Sequence, residues 1–189
     1  MFHRRSRPRS HYRQPQGRSR VNCERVPNVA VEEPVGVEIE RKFLVVSDDW
    51  RARADEGRFL SQGYLTDGQP VSVRVRIQGD VANLNIKSAT LGISRLEYEY
   101  PIPMEDAREM LQKLAGGKAV EKMRYHVPVG RHVWEVDVFS GDNAGLVVAE
   151  VELSDADEDF ERPSWAGEEV SHDPRYYNVR LIDHPYKDW

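Results

Sequence analysis

Residues 37–44, with the sequence Val-Glu-Ile-Glu-Arg-Lys-Phe-Leu, constrain the fold of this 189-residue chain more than any other stretch of it. Alternate side chains of a β-strand share a face, so Glu38, Glu40 and Lys42 would point to one side and the intervening residues to the other. Neighbours on such a face lie about 7 Å apart, twice the rise per residue. Two carboxylates at that spacing repel each other unless a cation joins them, and hard divalent cations take oxygen ligands of this kind. The octet therefore predicts a strand whose charged face meets a cation.

The same alternation of charged and apolar residues recurs along the chain. The solvent-facing side of an antiparallel sheet would explain any one of these pairs. Across the set, however, acids and bases separate by strand, which indicates an interior that holds a metal ion and a polyanion together. The pairs are Arg74-Val-Arg76, Glu97-Tyr-Glu99, Lys122-Met-Arg124, Glu135-Val-Asp137 and Glu150-Val-Glu152.

Hydrophobic periodicity and turn signals predict eight strands and one substantial helix. Eight strands are enough to close a barrel around one small ligand, and closure removes the exposed edges. We therefore expect an α+β fold, mainly antiparallel β, in the form of an eight-stranded closed tunnel barrel with a few flanking helices. The strands are predicted near 37–46, 58–66, 71–78, 81–88, 94–101, 119–128, 131–139 and 146–154 in sequential order, and the helices near 104–115 and 174–182, with a short helix capped by Ser47.

The first 25 residues differ sharply in composition from the rest of the chain. They hold eight arginines and one acid, a net charge of +7, whereas the whole chain carries −5 and the remainder therefore −12. A segment so rich in Arg, Ser, Pro and Gln buries too little apolar surface to fold alone. We expect residues 1–35 to be a disordered Arg-rich arm and residues 36–189 to form one domain. The arm is either an unstructured tail or a tether to nucleic acid or acidic lipid.

Composition argues against several other classes of protein. The single cysteine, Cys23, rules out an internal disulfide framework. No apolar run approaches the roughly 18 residues that span a bilayer, and no signal-peptide core follows Met1. We therefore expect a cytoplasmic protein without a membrane partner. The acidic body would repel a nucleic-acid duplex, so nucleic-acid binding is expected, if at all, only through the arm.

The order of these segments is similar to that of a known family, the CYTH superfamily or triphosphate tunnel metalloenzymes, and within it to the short bacterial inorganic triphosphatases. Glu-Ile-Glu-Arg-Lys-Phe at 38–43 resembles the family's entry motif, and the similarity extends over about residues 36–183. A lone Glu-x-Glu-x-Lys is a weak pattern, whereas this ordered series is specific. The resemblance implies the same tunnel barrel. The other matching segments are 62–65, 74–76, 87–88, 94–99, 120–125, 134–139, 149–152 and 165–178.

The resemblance also implies an activity, the metal-dependent hydrolysis of inorganic triphosphate to pyrophosphate and phosphate. Mg²⁺ or Mn²⁺ is the expected cofactor, because both metals suit oxygen ligands with a phosphate as co-ligand. Lys42 and Tyr64 match a Lys–Tyr dyad in which the tyrosine activates water, and the ammonium is expected to lower the pKa of the phenol below its usual value of about 10. The phosphate-binding set is then Arg74, Arg76, Lys87, Arg95, Lys122 and Arg124, and the metal set is Glu38, Glu40, Glu150 and Glu152. Glu97, Glu99 and Asp137 would either bind a second metal ion or orient the basic set, with orientation favoured for Glu97 and Glu99.

Several alternatives stay open at this point. An adenylate cyclase would need a pocket for the base, and a thiamine triphosphatase an aromatic platform, neither of which is obvious in the sequence. A non-catalytic polyphosphate-binding module would keep the arginines and lose the metal carboxylates or Tyr64, yet both are present. A homodimer is a further alternative. Among the histidines, His126, His132 and His172 are expected at strand ends or on the surface.

Overall fold

The computed structural model describes residues 36–66, 71–88 and 93–189. Strands dominate these ranges, as the alternating sequence pattern predicts. The strands are β1 (Gly36–Val45), β2 (Arg58–Tyr64), β3 (Val71–Gln78), β4 (Val81–Ser88), β5 (Ser94–Pro101), β6 (Val120–Val129), β7 (His132–Phe139), β8 (Val147–Leu153) and β9 (Ala166–Glu169). The α-helices are α1 (Met104–Lys113) and α2 (Arg180–Asp183), and short 3-10 helices lie at Asp49–Arg53, Gly141–Asn143, Pro174–Tyr176 and Tyr186–Asp188.

The strands form one antiparallel sheet that closes into a barrel. Their order is β5-β4-β3-β2-β6-β7-β8-β1-β9, and a further pairing of β5 with β1 completes the ring. At this junction Glu38 is the cross-strand partner of Arg95. On the other side of β1, Lys42 is the partner of Glu150 on β8. The expected eight-stranded tunnel barrel is thus confirmed, with β9 added beside β1 at Phe43 and Val45.

The largest hydrophobic core lies on the outside of the barrel wall. Trp134 alternates with the tunnel-lining Glu135 and so points away from the tunnel, where it packs against Phe43 and Trp165 with ring centroids 5.3 Å away in each case. A second cluster forms where α1 places the buried Ala107 against Val75 of β3. Apolar residues therefore face outward onto helices and loops, which leaves the inner wall to the charged residues.

Four local predictions differ from the structure. The predicted helix at 174–182 is wrong, because Tyr177 takes an extended conformation between the 3-10 helix Pro174–Tyr176 and α2. The short helix after Ser47 is a 3-10 helix that begins after Asp48 and has no side-chain cap. Strictly sequential strand order fails because β2 pairs with β6, and β9 was not predicted. The strand pattern was correct where alternation was strong and failed where it was absent.

Some predictions fall on residues outside the described ranges. The arm at 1–35, with Cys23, belongs to this group, so the division into an arm and a domain stays a prediction. Of the helices that the structure describes, none combines the length and the apolar composition that crossing a membrane requires.

Trp134 offers a test of the outer core, because it is 0% exposed. We expect Trp134→Ala to lower the free energy of unfolding by about 3–5 kcal/mol, since it removes the two ring contacts and leaves a cavity. Leu114→Ala is the control, because Leu114 is 64% exposed. It should change the free energy by less than about 0.5 kcal/mol. Urea titrations that give equal losses for both variants would contradict this description of the core.

Candidate active site

The barrel encloses a cavity of about 550 Å³, here called the tunnel, and charged side chains dominate its strand-borne lining. Every predicted site residue lies on this lining except Asp137, which is buried behind it. Acids and bases are equal in number on the strands that form the wall. The seven bases are Lys42, Arg74, Arg76, Lys87, Arg95, Lys122 and Arg124, and the seven acids are Glu38, Glu40, Glu97, Glu99, Glu135, Glu150 and Glu152.

Glu150 stands at the centre of the most buried ion-pair cluster. It is 5% exposed, and the ammonium of Lys42 bonds to one of its carboxylate oxygens. Arg124 Nη2 donates to the other oxygen at 2.7 Å. Although burial raises the pKa of Glu150, Lys42 and Arg124 bring it well below the ordinary value. Burial likewise lowers the pKa of Lys42, and Glu150 and Glu40 more than reverse this shift.

The remaining acids of the predicted metal set differ in how well they are paired. Glu38 accepts hydrogen bonds from Lys87 at 2.8 Å and from Arg95 at 2.7 Å. Glu40 lies across the strand pair from Glu152 and accepts from Arg95 at 3.1 Å. Glu152 has no ion-pair partner among the described residues, and its pKa is raised by burial and by the neighbouring carboxylates of Glu38, Glu135 and Glu40. Glu152 is therefore a carboxylate that lacks a cation.

The donor set fits a hard divalent cation in its chemistry. All four predicted ligands are carboxylates, and β1 and β8 place Glu40 and Glu152 next to each other. In the part of the chain that the structure describes, no three acidic, histidine or cysteine side chains converge closely enough to hold a metal ion by themselves. Mg²⁺ is commonly held by one or two carboxylates together with substrate phosphates, so this arrangement suits a metal ion that arrives with its phosphate ligand.

The basic side of the tunnel is crowded and incompletely satisfied. The Nε atoms of Arg74 and Arg76 are buried and have no hydrogen-bond acceptor among the described residues. Burial and the adjacent Arg74 lower the pKa of Arg76, against the opposing effect of Glu99. Lys122 is 1% exposed, and burial together with Arg124 lowers its pKa to about 8. An anion bound here would supply the missing acceptors and relieve the repulsion.

A further group of polar residues fixes the direction of these bases. Asp137 is 0% exposed, accepts a hydrogen bond from Arg124 Nε at 2.7 Å and contacts the ammonium of Lys122. Glu99 accepts from Arg76 Nη2 at 2.8 Å. Glu97 lies 3.0 Å from the ammonium of Lys87 and accepts from Asn85 at 2.9 Å. These contacts agree with an orienting role for all three acids.

Tyr64 lies on the lining, but its pKa shifts in the direction opposite to the prediction. Burial raises the pKa of the phenol more than Arg74, Arg95 and Lys42 lower it. The ammonium of Lys42 is engaged by Glu150 and lies 3.4 Å from Glu40, and Gln62 Nε2 is 3.5 Å from the Tyr64 hydroxyl. The expected lowering of the Tyr64 pKa is therefore wrong, because the effect of burial exceeds the combined effect of the three cations.

Sequence reasoning missed several lining residues. Gln62 and His126 face the tunnel because they stand two positions from Tyr64 and Arg124 on the same strands, so the alternation itself could have identified them. His126 lines the tunnel while a third of its side chain stays exposed, His172 is exposed and His132 lies at the start of β7. Residues 177–180 also line the tunnel. The strand alternation that identifies the other lining residues does not extend to this segment.

Comparison with known proteins gives a consistent result. The CYTH domain family model matches residues 36–177. A protein of Acetivibrio thermocellus named inorganic triphosphatase is 45% identical over 155 residues, 82% of this chain and 99% of that protein. One of Nitrosomonas europaea with the same name is 42% identical over 150 residues, 76% of this chain and 95% of that protein. A crystal structure of an inorganic triphosphatase superposes with a TM-score of 0.55 and 37% identity, covering 77% of this chain and 93% of that chain.

Because Glu150 and Glu152 have different surroundings, we expect their glutamine variants to differ in stability. Glu150→Gln breaks a buried pair and leaves Lys42 without its main partner, so we expect it to destabilise the fold by about 3–5 kcal/mol. The pKa of Glu152 is raised, which means that ionisation of this group opposes folding at neutral pH. Glu152→Gln should therefore leave the melting temperature unchanged or raise it. Thermal melts at pH 7 with a chelator present would test both, and a large loss for Glu152→Gln would contradict the contrast.

Proposed function

The chain belongs to the CYTH domain family, and we propose that its tunnel hydrolyses inorganic triphosphate to pyrophosphate and phosphate with the help of a divalent metal ion. The observation that carries this proposal is the two-sided lining, with an unpaired carboxylate, Glu152, on β8 and unsatisfied guanidinium donors of Arg74 and Arg76 on β3. The two relatives that match most of this chain are both named inorganic triphosphatase, which supports the proposed activity. We also propose, as predicted from the sequence, that the enzyme works in the cytoplasm.

The balance of charge supports the need for a metal ion. The strand-borne lining carries as many carboxylates as bases, so it has no large positive charge in reserve. Triphosphate brings about four negative charges, and an uncompensated anion in a water-poor cavity is strongly disfavoured. A divalent cation that enters with the substrate removes this difficulty. The tunnel then binds a metal–triphosphate complex rather than the bare anion.

Glu152 and Glu40 would hold this Mg²⁺ or Mn²⁺, and Glu38 would join them once Lys87 and Arg95 turn to the substrate. The metal ion would neutralise charge on the phosphate oxygens and orient them for displacement. Glu150 could join the ligands only if Lys42 or Arg124 released it, because both already bond to it. We therefore propose that Glu150 mainly fixes these two bases.

The basic residues would bind the phosphate oxygens along the substrate. Guanidinium groups suit this task because they form two parallel hydrogen bonds to one phosphate, whereas a lysine acts as a point charge. Arg74 and Arg76 still have free donors, and Arg124 is held in place by Asp137 and Glu150. Lys87, Arg95 and Lys122 would complete the set. Bases that are already oriented reduce the reorganisation needed as charge shifts during phosphoryl transfer.

Tyr64 would position the attacking water. Its raised pKa favours the protonated phenol, so we propose that it acts as a neutral hydrogen-bonding group. Lys42 would take part in the dyad once the substrate competes for its ammonium. Among the described lining residues the aromatic side chains are Tyr64, Tyr177 and His126, which do not form a broad platform for a nucleobase.

The proposed activity is tested by product release from triphosphate, ATP, thiamine triphosphate and long-chain polyphosphate, each with Mg²⁺, with Mn²⁺ and with a chelator. We expect one phosphate and one pyrophosphate per triphosphate, and no product with the chelator, because the metal ion balances the substrate charge. Cyclic AMP from ATP with triphosphate left intact would show a cyclase instead. Tight triphosphate binding without any product would show a binding module.

Tyr64→Phe tests the role of the hydroxyl group without removing the ring. We expect kcat for triphosphate to fall about 100-fold or more, the scale of a positioned group that acts on a proton, with little change in stability. Tyr98→Phe is the matched control, because Tyr98 lies on the outer face of β5 and is 38% exposed. Full activity in Tyr64→Phe would remove this residue from the mechanism.

A further inference from the structure

His126 is held firmly at the tunnel wall by one aspartate. Its backbone N–H donates to Asp55 Oδ1 at 2.9 Å, and its ring Nδ1 lies 2.9 Å from Asp55 Oδ2. The backbone N–H of Asp55 in turn donates to the carbonyl of His126 at 3.1 Å. An ionised carboxylate can only accept, so Nδ1 carries a hydrogen whether the ring is charged or neutral. The variable proton of His126 is therefore the one on Nε2.

Nε2 faces a carboxylate that also bonds to a phosphate-binding arginine. Glu135 Oε1 lies 3.6 Å from His126 Nε2. The other oxygen of Glu135 accepts a hydrogen bond from Arg124 Nη1. Arg124 also donates to Asp137 and Glu150, so its guanidinium is surrounded by three acids. His126 and Arg124 are thus two cations that share one carboxylate at the lining.

The charge on His126 decides how strongly Glu135 competes for Arg124. With Nε2 protonated, the imidazolium takes part of the negative charge of Glu135. With Nε2 deprotonated, a nitrogen lone pair faces the carboxylate, and Glu135 depends on Arg124 alone. Glu135 then holds Arg124 Nη1 more strongly against an incoming phosphate, and the tunnel wall is one unit more negative. Both changes disfavour an anion.

We propose that His126 is a positioning residue that keeps Arg124 available to the substrate, so that affinity for a triphosphate anion falls when His126 loses its second proton. This inference rests on the proposed triphosphatase function and identifies a residue outside the predicted site. The groups that face the ring are Asp55 from the segment after the first 3-10 helix and Glu135 from β7, with Arg124 behind Glu135 on β6 itself. Glu135 and Asp55 together raise the pKa of His126 above its ordinary value, against the effect of burial.

The test compares the pH dependence of KM and kcat for triphosphate in the wild type and in His126→Gln. Glutamine places a neutral N–H donor near the position of Nε2 and cannot titrate. We expect the wild-type KM to rise roughly three- to tenfold more than that of His126→Gln as the pH passes through the His126 transition, with kcat affected less. Triphosphate and Lys122, whose pKa is about 8, titrate in both proteins, so the difference between the two profiles isolates His126.

His132→Gln is the matched control, because this histidine bonds to Glu158 at 2.9 Å and does not line the tunnel. Its KM profile should follow the wild type. Parallel KM profiles for the wild type and His126→Gln would overturn the proposal.

A second measurement keeps the inference testable without turnover. The His126 ring is followed by NMR during a pH titration of the wild type and of Glu135→Gln, both without substrate. We expect a lower pKa of His126 in Glu135→Gln, because its carboxylate partner is lost. Equal values would overturn the coupling. If the wild type released no phosphate from triphosphate at any pH, the proposed function would fail while this titration still decided whether His126 and Glu135 are coupled.

Discussion

Repulsion between like charges confined in a narrow barrel governs the rest of this structure. Moving an ion out of water costs several kcal/mol unless a partner meets it in good geometry. The strand register supplies those partners: Glu38 lies across from Arg95 where β1 meets β5, and Lys42 lies across from Glu150 where β1 meets β8. The two junctions that close the ring are therefore ion-paired as well as hydrogen-bonded. The same strand pairings therefore close the barrel and neutralise part of its interior.

The charged residues of the tunnel are not all equally well paired. A phosphate substrate and its metal ion can bind to the groups that remain incompletely paired. Glu150 and Lys42 satisfy each other. Within the described ranges, by contrast, Glu152 on β8 lacks a cation and the Nε atoms of Arg74 and Arg76 on β3 lack acceptors. In the ring of eight strands β3 and β8 are four places apart, on opposite walls. An acid without a base beside it among the described residues and two arginines with unsatisfied Nε donors thus face each other across the tunnel. A metal–triphosphate complex would complete both sides, which explains how binding and alignment can arise from the same contacts.

Much of this arrangement follows from the period-two pattern of the sequence. The alternation of Glu38, Glu40 and Lys42 with apolar residues is enough to place them inside. A strand that packs one face against an apolar core has its charged side chains on the other face. Alternation alone does not decide which acid pairs with which base. That depends on the strand register, and so on loop lengths and on the pairing of β2 with β6, three strands further along the chain than its neighbour β3. The alternation therefore did not foresee that Lys42 is neutralised by Glu150, nor that the pKa of Tyr64 would rise. The segment around Tyr177 belongs to no strand of the barrel, and only the tertiary fold brings it to the tunnel.

A crystal structure of the chain with triphosphate and Mn²⁺ bound tests the central claim most directly, because it shows which charges inside the barrel are completed by the ligand. We expect phosphate oxygens against Arg74, Arg76 and Arg124, and Mn²⁺ on the β1–β8 side of the tunnel, held by Glu152. Triphosphate bound on the outer surface, or Mn²⁺ bound away from β1 and β8, would contradict it.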